Sequence, residues 1–148
     1  LFNIVNMKKI AVKYCMLLFV LAICLGSCKE EEVYTTFPAP VWQVDDAKYS
    51  VSMTAVVVLP ENLQTYFQTN DQIAAFINGE CRGVGQLIDN AFFITIKGTP
   101  EENSKVSFRY YNTRNQYMYA TDANLSFEPD AIYGTADAPE VLVLNIIQ

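Results

Sequence analysis

The sequence contains no histidine. This absence removes Ser-His-Asp and Cys-His catalytic pairs, histidine-ligated zinc, and the side chain that most often acts as a general base near neutral pH. The acidic residues show neither a pair placed to flank a sugar nor the Asp/Asn ladder of a calcium loop. We therefore expect no enzymatic activity, no metal and no cofactor; a small hydrolase and a calcium site in the loop 130–137 are the alternatives.

Basic residues are also scarce, with 10 Lys and Arg against 16 Asp and Glu. Lys8, Lys9 and Lys13 precede the cleavage point predicted below, and no acidic residue does. The mature chain would therefore carry seven basic and sixteen acidic residues, a net charge of −9. Nucleic acids and anionic membrane surfaces bind basic surfaces, so neither is expected as a partner of so acidic a chain.

The N-terminal part of the chain has the pattern of an export signal. Lysines after Met7 precede an uncharged apolar run from Met16 to Leu25, which is shorter than the roughly 20 residues of a membrane-spanning helix. We predict a signal peptide over residues 1–27, with translation starting at Met7 so that residues 1–6 are not translated. An ordinary secretory signal and an uncleaved anchor helix are the alternatives.

The apolar run ends in Leu25, Gly26, Ser27 and Cys28. This motif resembles the lipobox of bacterial prolipoproteins, in which the cysteine receives a thioether-linked lipid and the chain is cut just before it. Only a thiol can take that lipid, and small residues ahead of it suit a peptidase cleft. The resemblance implies that Cys28 is lipidated and anchors the protein in a membrane, since two or three acyl chains bind stably where one binds marginally.

Lys29, Glu30 and Glu31 follow Cys28 directly. They are similar to the lysine-plus-acidic export signal of surface-exposed lipoproteins of the Bacteroidetes, which implies an outer-membrane location facing the medium. The alternative is a solvated acidic tether that carries no localisation signal. Residues 28–40, which contain two prolines, are predicted to be a lipidated flexible tether ahead of a domain at 41–148.

Cysteine usage agrees with export. Cys15 and Cys24 fall in the predicted signal peptide and Cys28 would carry lipid, which leaves Cys81 for the domain. An intrachain disulfide is then impossible there. We expect Cys81 to be a small buried apolar side chain and not a reactive thiol.

Residues 41–148 alternate runs of Val, Ile, Thr, Phe and Tyr with turn residues at short spacing, which predicts an all-β fold. Asn78-Gly79 lies between two such runs and indicates a hairpin, because a type I′ turn needs positive φ at both central residues. We predict an antiparallel β-sandwich, immunoglobulin-like or jelly-roll-like, of about eight strands. The side chains predicted to face its core are Val51, Met53, Ala55, Val57, Leu59, Phe92, Ile94, Ile96, Val106, Phe108 and Tyr110.

The segment from Asp71 to Val84, with its Ala-Ala-Phe and Gly-Glu-Cys-Arg-Gly elements, resembles a β-sandwich module found repeatedly in secreted and surface proteins of the Bacteroidetes. Trp42, the Ser52–Thr54 run and the Phe108–Tyr111 run extend the resemblance over most of 41–148. The resemblance implies a fold and a location, but no chemistry.

The same segment also has a structural interpretation. Gly79 serves the turn, whereas Gly83 and Gly85 allow a bulge or a close backbone approach. Charged residues beside the hairpin predict ion pairs in which Glu80 or Asp71 contacts Arg82 or Arg109.

Aromatic residues are abundant, with nine Tyr, nine Phe and one Trp. Because strands place alternate side chains outside, phenol rings on an outer sheet face can stack on sugars or on a partner protein. The candidate ligand-binding residues are Arg109, Tyr111, Tyr117 and Tyr119. The alternative is that these rings cover the edge of the core or fill cross-strand pairs, and Trp42 is expected in the core near the domain entrance.

The resulting hypothesis is a surface-tethered, non-catalytic binding module for glycan or protein. The alternative is a structural or assembly subunit of a cell-envelope complex. An exposed aromatic patch with convergent amides would favour binding, whereas a long unpaired edge strand or a large apolar patch would favour assembly.

Overall fold

The structure is a computed structural model that describes residues 7–9, 11–13 and 32–148. Residues 7–9 and 11–13 are helical and belong to a first unit, 1–33. The second unit, Tyr34–Gln148, contains the strands. Within the described ranges, no helix is long and apolar enough to span a membrane. The apolar run, Cys28 and the predicted export signal Lys29, Glu30 and Glu31 lie outside the described residues.

β-strands make up most of the regular secondary structure of the second unit. A short 3-10 turn at Asp46–Lys48 and a one-turn helix, α1 (Glu61–Gln64), interrupt them. The described residues form eleven strands: β1 Val51–Val58, β2 Gln72–Ile77, β3 Glu80–Val84, β4 Gln86–Ile88, β5 Ala91–Gly98, β6 Lys105–Tyr111, β7 Met118–Ala120, β8 Leu125–Ser126, β9 Ile132–Tyr133, β10 Glu140–Val141 and β11 Asn145–Ile146.

The strands form two sheets. The first sheet has the order β10-β1-β5-β4, with β9 also paired to β1. The second sheet has the order β11-β7-β6-β2-β3, with β8 also paired to β6. All pairings are antiparallel except those of β1 with β9 and β10. The predicted all-β, predominantly antiparallel sandwich is confirmed, with short additional strands beyond the predicted number.

The core lies between the inner faces of the two sheets. Cross-strand partners point to the same side of a sheet, and the register pairs Met53 with Ile96 and Ala55 with Ile94 in the first sheet. In the second sheet Ala75 pairs with Phe108. The core-facing residues predicted from strand alternation all lie in this core or pack against it, which confirms the prediction for β1, β5 and β6.

One edge of the sandwich is closed by a strand that changes sheet. β3 pairs with β2 in the second sheet, and β4, one residue later, pairs with β5 in the first. A Cβ at Gly83 would lie 2.5 Å from the carbonyl oxygen of Thr95, and one at Gly85 would lie 2.3 Å from Ile73 Cγ2. The close backbone approach predicted at these glycines is confirmed, because no larger residue fits the crossing.

At the opposite edge, the C-terminal segment connects the two sheets. The backbone N–H of Leu142 donates to the carbonyl of Val58 in the first sheet at 3.1 Å. The N–H of Ile147 donates to the carbonyl of Met118 in the second sheet at 2.8 Å. Residues 140–147 therefore join the two sheets, with β10 in the first sheet and β11 in the second.

The compact unit begins upstream of the predicted boundary at Val41. The N–H of Phe37 donates to the carbonyl of Gln116 at 2.8 Å, and the Tyr111 hydroxyl donates to the carbonyl of Phe37 at 3.1 Å. The ring of Trp42 packs edge-on against Phe76 with 5.7 Å between centroids. Residues 34–42 therefore pack on the outer face of the second sheet, and Trp42 lies there, half-buried, and not in the core between the sheets.

Candidate functional site

The four predicted ligand-binding residues do not share one face. In the register of β6 and β7, Tyr110 pairs with Tyr119 and Tyr111 pairs with Met118. Tyr119 therefore points into the core beside Tyr110, with 5.8 Å between their ring centroids. Tyr117, two residues away on the chain, also packs against the core. Arg109 and Tyr111 occupy β6 positions that alternate with Tyr110, so they point outward.

The two outward residues are covered by other parts of the same chain. Tyr111 is only 2% exposed beneath the segment that contains Phe37. The Arg109 guanidinium lies 4.4 Å from the centre of the Phe76 ring. These side chains contact other parts of the protein, as the alternative interpretation of the aromatic residues expected. The outer face of β6 therefore presents no open tyrosine surface.

A buried polar cluster joins the start of β2 to the turn after β6. Asp71, 7% exposed, accepts hydrogen bonds at Oδ2 from the Tyr110 hydroxyl at 2.5 Å, the Gln68 N–H at 2.8 Å and Asn112 Nδ2 at 2.9 Å. Its Oδ1 accepts from both the N–H and the hydroxyl of Thr113, each at 2.7 Å. The carboxylate is thus saturated by protein donors, and the ion pair predicted for Asp71 with an arginine is absent.

Burial of the phenol, followed by its bond to Asp71, raises the pKa of Tyr110 far above its usual range. The group therefore remains a neutral hydrogen-bond donor at any physiological pH. The cluster leaves no donor or acceptor aimed at an external ligand, so we interpret it as structural.

Arg82 organises a second polar cluster at the other end of β2 and β6. Its Nη1 donates to Glu102 Oε2 at 3.0 Å and to the Lys97 carbonyl at 3.2 Å. Its guanidinium also lies 3.9 Å from the centre of the Tyr49 ring, and its Nε is 3.8 Å from Glu80 Oε2. The predicted pairing of Arg82 with Glu80 is present, but the shorter contact is with Glu102, whose place in the loop after β5 gave no sequence signal.

The surroundings of Glu102 in the second cluster favour its charged form. Hydrogen bonds from Ser104 and then from Arg82 lower the pKa of Glu102, against the opposing effect of burial. The nearby thiol of Cys81 is half-buried, and this burial raises its pKa. Cys81 is therefore less buried than predicted, and its unreactive character stays a prediction.

An open cleft lies along the edge of the sandwich where β9 and β10 face β6 and β8. We call it the edge cleft. It has a volume of about 220 Å³, and the ring of Tyr133 stacks on Phe108 in its wall, with 6.4 Å between centroids and 16° between planes. Its lining residues are Val106, Phe108, Thr121, Asp122, Asn124, Leu125, Tyr133, Val141, Leu142 and Val143. A depression of about 470 Å³ adjoins it and shares Asn124, Leu125 and Tyr133.

The mouth of the edge cleft is apolar and exposed. Val141 is 60% exposed and Val143 77%, and Ile132, 69% exposed, lines the adjoining depression. β10 ends the first sheet, so one of its flanks has no strand partner within the described residues. Clustered exposed aliphatic residues at a concave surface are typical of an interaction site.

The edge cleft offers groups that can bind a ligand. Its polar side chains are Thr121, Asp122, Asn124 and the phenol of Tyr133, which can donate hydrogen bonds to a ligand or accept them from it. Across the described part of the chain, no group of three His, Cys, Asp or Glu side chains is placed to hold a metal ion. Sequence reasoning missed this site because its residues come from short strands and loops that only the folded edge brings together.

No protein-family model, curated protein or solved structure matches the chain significantly. The resemblance of the Asp71–Val84 segment to a Bacteroidetes surface module therefore stays a prediction, and the candidate site depends on its geometry alone.

Proposed function

We propose that the chain is an outer-membrane lipoprotein facing the medium, whose β-sandwich is a non-catalytic module that binds a partner protein at the edge cleft. The lipobox-like motif ending at Cys28 supports a lipid anchor, and the acidic run that follows it supports a location on the outer surface of the cell. The observation that carries the binding role is the exposure of Val141 and Val143 around the mouth of the cleft, with Ile132 exposed in the adjoining depression.

A protein is favoured over a glycan by the character of the exposed residues. Sugars stack on exposed aromatic rings, but the tyrosines first considered for this role are buried or covered, and the mouth of the cleft is aliphatic. Apolar centres surrounded by polar groups are the usual anatomy of protein interfaces. The free flank of β10 also offers backbone groups to an added strand.

Site-specific photocrosslinking on intact cells tests this proposal. A photoreactive amino acid at Val143 should give a discrete adduct with another protein. The same amino acid at Val84, which is 43% exposed on the opposite edge, serves as the matched control and should give none. A glycan array with residues 34–148 runs in parallel, and glycan binding without an adduct specific to Val143 would contradict a protein ligand.

A second candidate function is a structural subunit of an envelope complex, and a different surface favours it. The outer face of the first sheet carries an apolar band across its strands, which includes Ile88, Phe93 and Val58. Ile88, at the end of this band away from the edge cleft, is exposed. Under this alternative, deletion of the gene dissolves a surface complex on native gels, and crosslinks form from Ile88 but not from Val143.

A further inference from the structure

We propose that the tyrosine-rich end of the second sheet lies against the lipid headgroups of the membrane. We define this tyrosine end by the exposed residues Tyr66 and Arg114 and by the half-buried ring pair Tyr34 and Tyr117 beside them. The inference rests on the proposed lipidation of Cys28, and it adds which surface of the domain meets the membrane and which end points away.

The length of chain after the proposed anchor limits where the domain can be. The connection from Cys28 to Tyr34, the first residue of the compact unit, reaches at most about 20 Å even when fully extended, because each residue adds about 3.3–3.6 Å. A domain tethered this closely cannot move freely away from the membrane, so one of its surfaces stays next to the headgroups.

The tether enters at one end of the second sheet. The Tyr34 ring packs edge-on against Tyr117, with 5.6 Å between centroids, and Phe37 is hydrogen-bonded to Gln116 and Tyr111. Tyr111 is the last residue of β6, whereas Lys105, its first, lies about 20 Å away at the strand rise. The hairpin turn at Asn78–Gly79 follows Ile77, which pairs with Val106, so this turn lies at the far end.

The tyrosine end has the chemistry of an interfacial surface. Tyr66 is 49% exposed, and its backbone carbonyl accepts a hydrogen bond from Asn112 Nδ2 at 2.9 Å, which fixes it beside the turn. Tyrosine rings, apolar with one polar tip, favour the membrane–water interface. Arg114 is exposed on the same turn, where its guanidinium can bind a lipid phosphate.

The charges of the other surfaces support the same orientation. Exposed acidic residues lie at the far end, including Glu80 and Glu101. At the near end, Glu61, Asp89 and Glu140 are exposed on the half of the domain formed by the first sheet, and Glu32 is exposed in the tether two residues before Tyr34. Within the compact unit, repulsion from headgroup phosphates therefore acts on the first-sheet half and favours the second-sheet half as the part closer to the lipid.

Fluorescence quenching on vesicles tests the orientation. The full chain carrying Cys81→Ala is expressed with its leader, purified in lipidated form and reconstituted in phosphatidylcholine vesicles that contain a headgroup-attached quencher. A single added cysteine carries the fluorophore, either Thr69→Cys, exposed in the loop before β2 at the near end, or Glu101→Cys at the far end. We expect several-fold stronger quenching at position 69 than at position 101, and equal or reversed quenching would overturn the inference.

Two controls separate the possible failures. Mass spectrometry of the same sample shows whether Cys28 carries lipid; an unmodified Cys28 overturns the proposed anchoring and with it this inference, whereas a lipidated chain with reversed quenching overturns the orientation alone. Tyr66→Ser combined with Arg114→Ser, labelled at Glu101→Cys, should raise the quenching at position 101 if the tyrosine end holds the orientation. Unchanged quenching there would contradict the role given to these two side chains.

Discussion

Asp71 holds together the end of the second sheet on which both the tether and the tyrosine end depend. Its carboxylate takes five hydrogen bonds from donors in two separate segments of the chain, Gln68 and residues 110–113. An amide of the same size can accept fewer of these bonds, and its NH₂ group faces donors. Asp71→Asn should therefore lower the free energy of unfolding by about 2–3 kcal/mol, measured by urea denaturation.

Asp137→Asn is the matched control, because Asp137 is exposed and its change should stay within about 0.5 kcal/mol. Equal effects of the two substitutions would contradict the structural role of Asp71.

Glu102 gives the protein a predictable response to acid. Its pKa is lowered in the folded state from the ordinary value of 4.5, so the unfolded chain binds a proton at a higher pH than the folded chain does. The stabilisation is therefore present above pH 4.5 and is lost as the pH falls through the folded pKa. Glu102→Gln should reduce the difference between the urea midpoints at pH 6 and pH 3.

The exposed neighbour Glu101 supplies the comparison for this experiment. If Glu101→Gln reduces the pH dependence as much as Glu102→Gln does, the ion pair with Arg82 is not its cause.

The strand that crosses between the sheets is the element most sensitive to added volume. A Cβ at Gly83 meets a backbone carbonyl of β5 at 2.5 Å, and this carbonyl cannot retreat without disturbing the pairing of β5 with β1. Gly83→Ala should therefore destabilise the domain by about 1–3 kcal/mol, measured by thermal unfolding. Gly79→Asn is the control, since position 79 has open space and Asn tolerates its positive φ; a larger loss at position 79 would contradict the crossing as the tight point.

The packing of the segment before β1 on the second sheet could not be predicted from its composition. Pro38 and Pro40 indicated a flexible tether, but Tyr34 and Phe37 pack on the second sheet. A domain starting at Val41 leaves Tyr111 uncovered, and we expect it to be about 2–3 kcal/mol less stable than one starting at Tyr34. Denaturation of the two proteins side by side measures this, and equal stability would show that residues 34–40 contribute nothing.

The alternation of apolar and polar residues predicted the core-facing side chains of the long, regular strands. β1, β5 and β6 are seven or eight residues long, enough to show which face is apolar, and their core residues were predicted correctly. The strands β8 to β11 have two residues each, which is too short for any period to appear. The edge cleft is formed largely by these short strands and their loops, so it was not predictable from sequence.

Register explains the error over the tyrosines. Alternation gives the relative orientation of residues within one strand, but the face of Tyr119 relative to Tyr111 depends on which residues of β6 and β7 are paired. Tyr119 pairs with Tyr110. This register depends on how β6 and β7 meet in the folded sheet, so the sequence of either strand alone does not predict it.

At the scale of the whole molecule, we propose an acidic β-sandwich held near a membrane, with an aliphatic cleft along one edge. The chain joins the two sheets at both edges, through β3–β4 and through residues 140–147, and leaves one flank of β10 without a strand partner among the described residues. The net charge of −9 expected after cleavage keeps like copies apart. The exposed aliphatic residues are therefore interpreted as a site for a different protein.

Mass spectrometry of the protein isolated from its native membrane tests the central claim most directly. The account predicts a mature chain that begins at Cys28 and carries a thioether-linked diacylglycerol on that cysteine, with or without a further acyl group on its amine. A mature N-terminus at another residue, or a free thiol at Cys28, would contradict it.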